Sequence, residues 1–306
     1  MTIPFLKMHG LGNDFVVIDA RSSNLSLTEA QVRAIADRRT GVGFDQFIVI
    51  HPPKTPGATA FMHIRNPDGS EAGACGNATR CVAHLLMGES GTGEAVVETI
   101  SGLLPANAEP GGLVTVDMGP ARLDWRDIPL AGPADTLRLD VAEGPWSGPV
   151  AVSMGNPHVV FFVDDVDAVP LEQVGPVLEH HPAFPQRANI EFVQVLSRTK
   201  LRMRVWERSA GITRACGSGA CAAQVAAVRR GLVERRAEVA LEGGSLTIEW
   251  REDGHVLMTG PVALSFTGVL QLDLVGELLA ASLLAAPLAT APLVTAPLVT
   301  APLVTA

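Results

Sequence analysis

Apolar residues in this chain come in short runs, broken every few positions by Gly, Pro or Asp. Such runs predict strands at Phe15–Asp19, Phe47–Ile50, Thr59–Arg65, Val96–Ile100 and Val114–Met118. Further along they predict Val150–Ser153, Val159–Val163, Glu191–Leu196, Lys200–Trp206, Leu246–Trp250 and Val256–Thr259. Period-2 alternation is clearest in Leu201-Arg-Met-Arg-Val-Trp206. Three stretches read as helices instead: Leu27–Arg39, with Ser26 as the expected cap ahead of Glu29, then Asn77–Met87 and Ser218–Gly231. The last two are rich in Ala, Val and Leu, the composition of helices buried all round. Many strands with one such helix in each half predict an α+β fold rather than alternating βαβ units.

The end of the chain is different. From Leu278 onward there is no charged residue, and Ala-Pro-Leu-Val-Thr repeats in tandem. The length would span a bilayer. However, Pro287, Pro292, Pro297 and Pro302 recur through it, and each costs ~3 kcal/mol inside a helix. The expectation for 276–306 is a disordered, polyproline-like tail, not a membrane segment.

Composition narrows the chemistry. A length of 306 residues suits two domains better than one, and with 47% hydrophobic residues a substantial core is available. The net charge of −9, with no Lys/Arg run, argues against a nucleic-acid partner. Tyr is absent, so no phenol can serve as acid or base. Lys7, Lys54 and Lys200 are the only lysines, and none sits where a pyridoxal phosphate Schiff base would be expected. No G-x-G-x-x-G motif follows a strand and no Walker loop is found, so no cofactor is expected. The N-terminus has neither a basic n-region nor an apolar h-region, and a cytoplasmic location is expected.

All four cysteines fall in two segments that nearly repeat each other, Ala74-Cys75-Gly76-Asn77-Ala78 and Ala215-Cys216-Gly217-Ser218-Gly219, with Cys81 and Cys221 following. Each segment places a thiol at the mouth of a predicted helix. A helix N-terminus offers unpaired N–H groups and a partial positive charge, which can hold a carboxylate and lower a thiol's pKa. Zinc is disfavoured because Cys75/Cys81 and Cys216/Cys221 lack C-x-x-C spacing. Cys81 and Cys221 lie inside their helices and read as core. Two thiols facing each other suit inversion of a stereocentre without a cofactor, with a base on one face and an acid on the other. The N–H groups of Gly76-Asn77 and Gly217-Ser218 would hold the carboxylate of the carbanion. The target is therefore the α-carbon of an amino acid.

Polar clusters surround these segments: His9-Gly-Leu-Gly-Asn13, Gly41-Val-Gly-Phe-Asp45-Gln46, Asn66-Pro-Asp-Gly-Ser, Gly155-Asn156-Pro-His158, Ala188-Asn189 and Trp206-Glu207-Arg208. Taken singly they read as turns, a structural histidine and a surface ion pair. Together with Ser153-Met-Gly-Asn-Pro-His158, Arg187-Ala-Asn-Ile190 and Ala215-Cys-Gly-Ser-Gly-Ala-Cys-Ala222, in this order, they resemble the diaminopimelate epimerases from Lys7 to about Val269. The resemblance implies that Cys75 and Cys216 are the paired base and acid, with His158 and Glu207 influencing their ionisation. It makes Asn13, Gln46, Asn66, Asn156, Asn189, Glu207 and Arg208 substrate-binding, with Gly76, Asn77, Gly217 and Ser218 on the reacting carboxylate. It also implies two similar lobes, each a mainly antiparallel sheet wrapped round a central helix, with the site in the cleft between them. The lobes would be 1–120, rejoined by 263–275, and 121–262. The substrate would be a small molecule, the assembly a homodimer, and there would be no metal, nucleic acid or membrane partner.

The chain departs from the family pattern in places. Gly211-Ile212-Thr213 stands where Gly-Glu-Thr is usual, Ser209 or Ala210 where Gly is usual, and Ala78 where Gly commonly follows Cys-Gly-Asn. Loss of the carboxylate at Ile212 is expected to alter rate or loop geometry. Two other readings compete. Proline and hydroxyproline racemases typically carry His after the first Cys-Gly, where this chain has Asn77. A non-catalytic thiol or zinc module would hold its cysteines inert or metal-bound.

Overall fold

The computed structural model describes residues 2–23 and 25–271, and the predicted tail (276–306) lies outside them. The first half lays down strands Thr2–Gly10, Asn13–Asp19, Gln46–His51, Ala60–Arg65, Glu94–Thr99, Gly102–Glu109 and Leu113–Pro120. The second lays down Val150–Ser153, Pro157–Phe162, Asn189–Ser197, Lys200–Glu207, Arg236–Leu241, Gly244–Trp250 and His255–Gly260. In both halves successive pairings run antiparallel, parallel, antiparallel, parallel, antiparallel, antiparallel. Helices α1 (Glu29–Ala36) and α3 (Leu171–Glu179) occupy the first parallel crossover of each half; α2 (Gly76–Ser90) and α4 (Gly217–Arg229) occupy the second. The fold is α+β and internally duplicated. Antiparallel pairing of Leu113–Pro120 with His255–Gly260 joins the halves, and the last strand, Ala263–Gln271, pairs with Thr2–Gly10.

Alternation decides what each sheet face covers. Phe15, Val17, Ile48 and Ile50 face inward onto Ala78, Cys81, Val82 and Leu86 of α2. Their neighbours Val16, Ile18, Phe47 and Val49 face outward onto Val32 and Ile35 of α1. The second half repeats this: Val152, Val160 and Val193 cover Ala220, Cys221 and Val225 of α4, while Val159, Phe161 and Phe192 face Leu171, Val174 and Leu178 of α3. Cys81 and Cys221 are thus core residues.

Boundaries differ from the sequence expectation for local reasons. Thr28, not Ser26, caps α1: Thr28 Oγ1 accepts from Gln31 N–H (3.2 Å) and Gln31 Oε1 accepts from Thr28 N–H (2.9 Å). The helix stops at Ala36 because Asp37 is extended and its carboxylate accepts from the N–H groups of Arg39 and Thr40. Helix α3 was not expected, since Pro170 and Pro176 punctuate it. Burial of Leu171, Val174 and Leu178 contributes about 1.5–3 kcal/mol each. Together they outweigh the ~3 kcal/mol cost of an interior proline.

Gly175 in α3 packs against the Trp206 ring: a Cβ there would lie 2.6 Å from Cγ and Cδ2 of the indole. Helix propensity favours Gly→Ala by about 0.5–1 kcal/mol, whereas overpacking costs typically 1–3 kcal/mol. Gly175→Ala should therefore lower the urea unfolding midpoint. A raised midpoint would show that Trp206 has room to move.

Candidate active site

Cys75 and Cys216 are the N-cap residues of α2 and α4. Each has extended backbone, and each sulfur accepts from the N–H three residues on: Ala78 N–H to Cys75 Sγ at 3.5 Å, Gly219 N–H to Cys216 Sγ at 3.3 Å. The sequence puts a thiol where helices usually place a hydroxyl or carboxamide. The N–H groups of Gly76, Gly217 and Ser218 make no hydrogen bond to any described residue, so orphan donors remain beside both thiols.

The two caps meet. Asn77 Nδ2 donates to Ala215 O (3.2 Å), the carbonyl just before Cys216, and to Asn13 Oδ1 (3.0 Å). That Asn13 oxygen lies 3.9 Å from Cys75 Sγ. A Cβ on Gly76 would lie 2.6 Å from Met258 Cε and 2.8 Å from Met118 Sδ; one on Gly217 would lie 2.9 Å from Met258 Sδ. The glycines after the cysteines thus let the ends of these methionine side chains pack directly against the caps.

Beside Cys216 runs a polar chain. Ser218 Oγ is 3.6 Å from its sulfur and accepts from Asn156 Nδ2 (3.4 Å). Asn156 Oδ1 accepts from His158 Nε2 (3.0 Å), and His158 Nδ1 bonds Glu191 Oε1 (2.7 Å). Both members of this last pair are fully buried. Glu207 accepts from Thr213 Oγ1 and lies near both sulfurs.

Registering the two ladders on one another superposes Asn13 on Asn156, Gln46 on Asn189, Asn66 on Glu207 and Cys75 on Cys216. Gln46 Nε2 donates to Asn66 Oδ1 (3.4 Å), and Gln46 Oε1 is buried with no partner. Asn189 donates to Pro157 O (2.9 Å) and accepts from Arg208 N–H (2.9 Å), which holds the Arg208 backbone; Arg208 Nη1 donates to Gln186 O. Gln46, Asn66, Asn189 and Arg208 make no hydrogen bond to either cysteine.

Sequence reasoning left out several groups that orient these. Asp45 accepts from Asn13 Nδ2 (3.0 Å) and fixes the amide so that its oxygen faces Cys75. Glu191, on a buried, inward-facing position of Asn189–Ser197, carried its own signal: a carboxylate where the alternation calls for a core residue. Glu179 was also missed. It is almost fully buried and accepts from Trp206 Nε1 (2.7 Å) and Ser209 N–H (3.0 Å), clamping the turn that follows Glu207-Arg208. Ile212 superposes on Glu71, packs against the α3 core and preserves the short ladder with Trp206, so the missing carboxylate leaves this turn closed.

The thiols are not acidic. Burial pushes Cys75 up to about 11, aided by the Glu207 charge, while the N–H groups of Ala78 and Asn77 pull the other way. Cys216 is raised well above an ordinary thiol by burial and by Glu207 and Glu191. This corrects the sequence expectation: the helix terminus acts in the lowering direction, but desolvation wins. Burial also raises the Glu207 carboxyl. Among the described residues no cluster of His, Cys, Asp or Glu could hold a metal ion, and no helix is long and apolar enough to cross a membrane.

A duplicated sheet-around-helix fold is shared with solved structures. The hydroxyproline epimerase of Agrobacterium vitis, solved with bound trans-4-hydroxy-L-proline, matches 89% of this chain and 93% of its own at a TM-score of 0.65 and 17% identity, which shows the fold. Closer relatives are seen in sequence. The family model for diaminopimelate epimerase matches residues 5–123 and 150–265. A diaminopimelate epimerase of Rhodospirillum centenum is 64% identical over 271 residues, covering 89% of this chain and 93% of that protein. One from Acidiphilium cryptum is 60% identical over 267 residues, covering 87% and 96%. The chain belongs to the diaminopimelate epimerase family.

Two stability tests follow from the site. Cys75 is raised to about 11 and Cys81 and Cys221 to about 12, against ~8.5 when unfolded. A raised folded value stabilises fully below the unfolded one and is lost as pH climbs through the folded one. The urea midpoint should fall between about pH 8 and pH 10; a constant midpoint would contradict these raised values. Separately, Ser209 has φ +63°, in the left-handed region. Left-handed backbone costs a non-glycine residue roughly 1–2 kcal/mol, partly offset by glycine's greater unfolded freedom of about 0.5–1 kcal/mol. Ser209→Gly should raise stability slightly and Ser209→Val should lower it, as read by thermal unfolding.

Proposed function

We propose that this protein interconverts L,L-diaminopimelate and meso-diaminopimelate by moving the α-proton between Cys75 and Cys216, with no cofactor. The observation that carries this reading is the pairing of two cysteine-capped helix N-termini, stitched together by Asn77 across Ala215 O. Orphan N–H groups of Gly76, Gly217 and Ser218 hold the carboxylate of the reacting centre and stabilise it as charge develops on the carbanion. Asn13, Gln46, Asn66, Asn156, Asn189 and Arg208 engage the substrate, above all its distal amino-acid end. The unpartnered Gln46 Oε1 is free to accept from its ammonium.

One thiol must become a thiolate, and burial raises both above an ordinary thiol. An entering substrate ammonium favours the anion by its charge. Glu207, beside both sulfurs and itself made more basic by burial, takes the released proton. His158, tied to Glu191 and aimed at Asn156, steadies the Cys216 side. The family's reaction is a step in lysine biosynthesis. We take 1–120, rejoined by 263–275, as one lobe and 121–262 as the other, with the protein acting as a cytoplasmic homodimer.

Proton NMR of L,L-diaminopimelate with reduced protein in D₂O, without added cofactor, should show loss of one α-proton signal and appearance of the meso isomer. Cys75→Ala and Cys216→Ala should each lower the rate roughly 10²–10⁴-fold, the range for a lost acid–base group. Full activity in both variants would sink the two-thiol mechanism. Exchange with proline or hydroxyproline alone would move the protein to the neighbouring racemases.

A further inference from the structure

Arg80 is fully buried, one turn into α2 from Cys75, and no carboxylate among the described residues pairs with it. Its slot is kept open by glycines from two strands. A Cβ on Gly10 would lie 2.8 Å from Nη2, and one on Gly260 would lie 3.3 Å from Cζ and Nε. Within the slot, Arg80 Nη2 donates to Asn77 Oδ1 (2.9 Å) and Nη1 to Met258 Sδ (3.4 Å), while Nε is buried with no partner. These contacts are the two pieces that set how the caps meet: Asn77 binds Ala215 O and Asn13, and Met258 fills the space against Gly76 and Gly217.

Burying a cation without an anion is costly, and in water-excluded surroundings its field is little screened. A fold that keeps such a group is complete only when negative charge arrives nearby. The reaction supplies that charge twice, as the substrate carboxylate at the helix N-termini and as a cysteine thiolate. We propose that Arg80 is the standing cation of the site, a positioning residue that acts through Asn77 to orient both caps and to favour negative charge beside Cys75. The inference rests on the proposed reaction for its purpose but not for its test.

The groups facing Arg80 are the Asn77 amide and the thiols of Cys75, Cys81 and Cys221. Those facing Cys75 are Glu207, which opposes its ionisation, and Arg80, which favours it. Glu207 belongs to the second half of the chain and Arg80 to the first, so the two charges reach the sulfur from opposite elements.

The test measures iodoacetamide alkylation of Cys75 against pH in the free protein by peptide mass spectrometry, alongside kcat and KM. Arg80→Gln keeps an N–H for Asn77 Oδ1 but removes the charge; Arg80→Lys keeps the charge. With Arg80→Gln, Cys75 alkylation near pH 8 should slow about tenfold, the lower end of what a nearby charge does to a pKa. Its kcat should fall roughly 10- to 100-fold with KM changed less than about threefold, as for lost transition-state stabilisation. Arg80→Lys should keep the wild-type alkylation profile. Unchanged alkylation and kcat in Arg80→Gln, or an equally slowed profile in Arg80→Lys, would overturn the proposal. Should Arg80→Gln not fold, Arg80→Met, which also removes the charge, replaces it with the same slowing expected and the same unchanged result overturning the proposal. Wild-type protein that fails to turn over diaminopimelate would defeat the proposed reaction and leave the alkylation comparison standing.

Discussion

Two helix N-termini of like polarity are pressed against one another in this protein. Each carries roughly half a positive charge, so their approach is unfavourable until something negative lies near both. The rest of the architecture serves to hold them there. Each helix is enclosed by the strands of its own repeat, and the pairing that joins the repeats, Leu113–Pro120 with His255–Gly260, carries Met118 and Met258 to the point where Gly76 and Gly217 approach. The seam between the repeats and the mouth of the site are one place.

Electrostatic balance at that place is set by burial. A helix terminus stabilises a nearby anion by about 0.3–1 kcal/mol when exposed. Desolvation of a fully buried group shifts its pKa by several units, which is why both thiols are raised despite their place at helix N-termini. The charges are unevenly distributed: Glu191 and Glu207 both act on Cys216, only Glu207 of the two acts on Cys75, and the buried guanidinium lies on the Cys75 helix. Even the small residues follow this division. A Cβ on Gly219 would lie 2.9 Å from Glu191 Oε1, whereas Ala78, its counterpart, sits in the α2 core where no carboxylate competes for space.

Much of this was legible in the sequence, and what was not has physical causes. The Cys-Gly segments announced themselves because two copies of a short pattern each opened an apolar helix. Strands buried on one or both faces were visible as alternation or apolar runs. Thr2–Gly10, Gly102–Glu109, Arg236–Leu241 and Ala263–Gln271 were not among the predicted strands, and Pro4 and Pro105 interrupt the first two. The duplication was faint in residues but plain in strand order, because topology constrains direction and not identity. Arg80 and Glu191 were passed over as single charges in apolar elements. The direction of the thiol shift was misread because burial is a property of the assembled halves, not of a helix end considered alone.

The duplication is imperfect where it matters. Two identical halves related by an exact twofold would place their sulfurs in identical surroundings, and neither could be preferred for a single shared proton. Because both copies lie in one polypeptide, each position can differ from its counterpart without a second gene or a broken symmetry axis. Asn66 faces Glu207 across the pseudo-axis, and Ala78 faces Gly219. A fused pair can therefore hold an odd number of protons in a defined arrangement, the condition under which one face of a stereocentre is offered a base while the other is offered an acid.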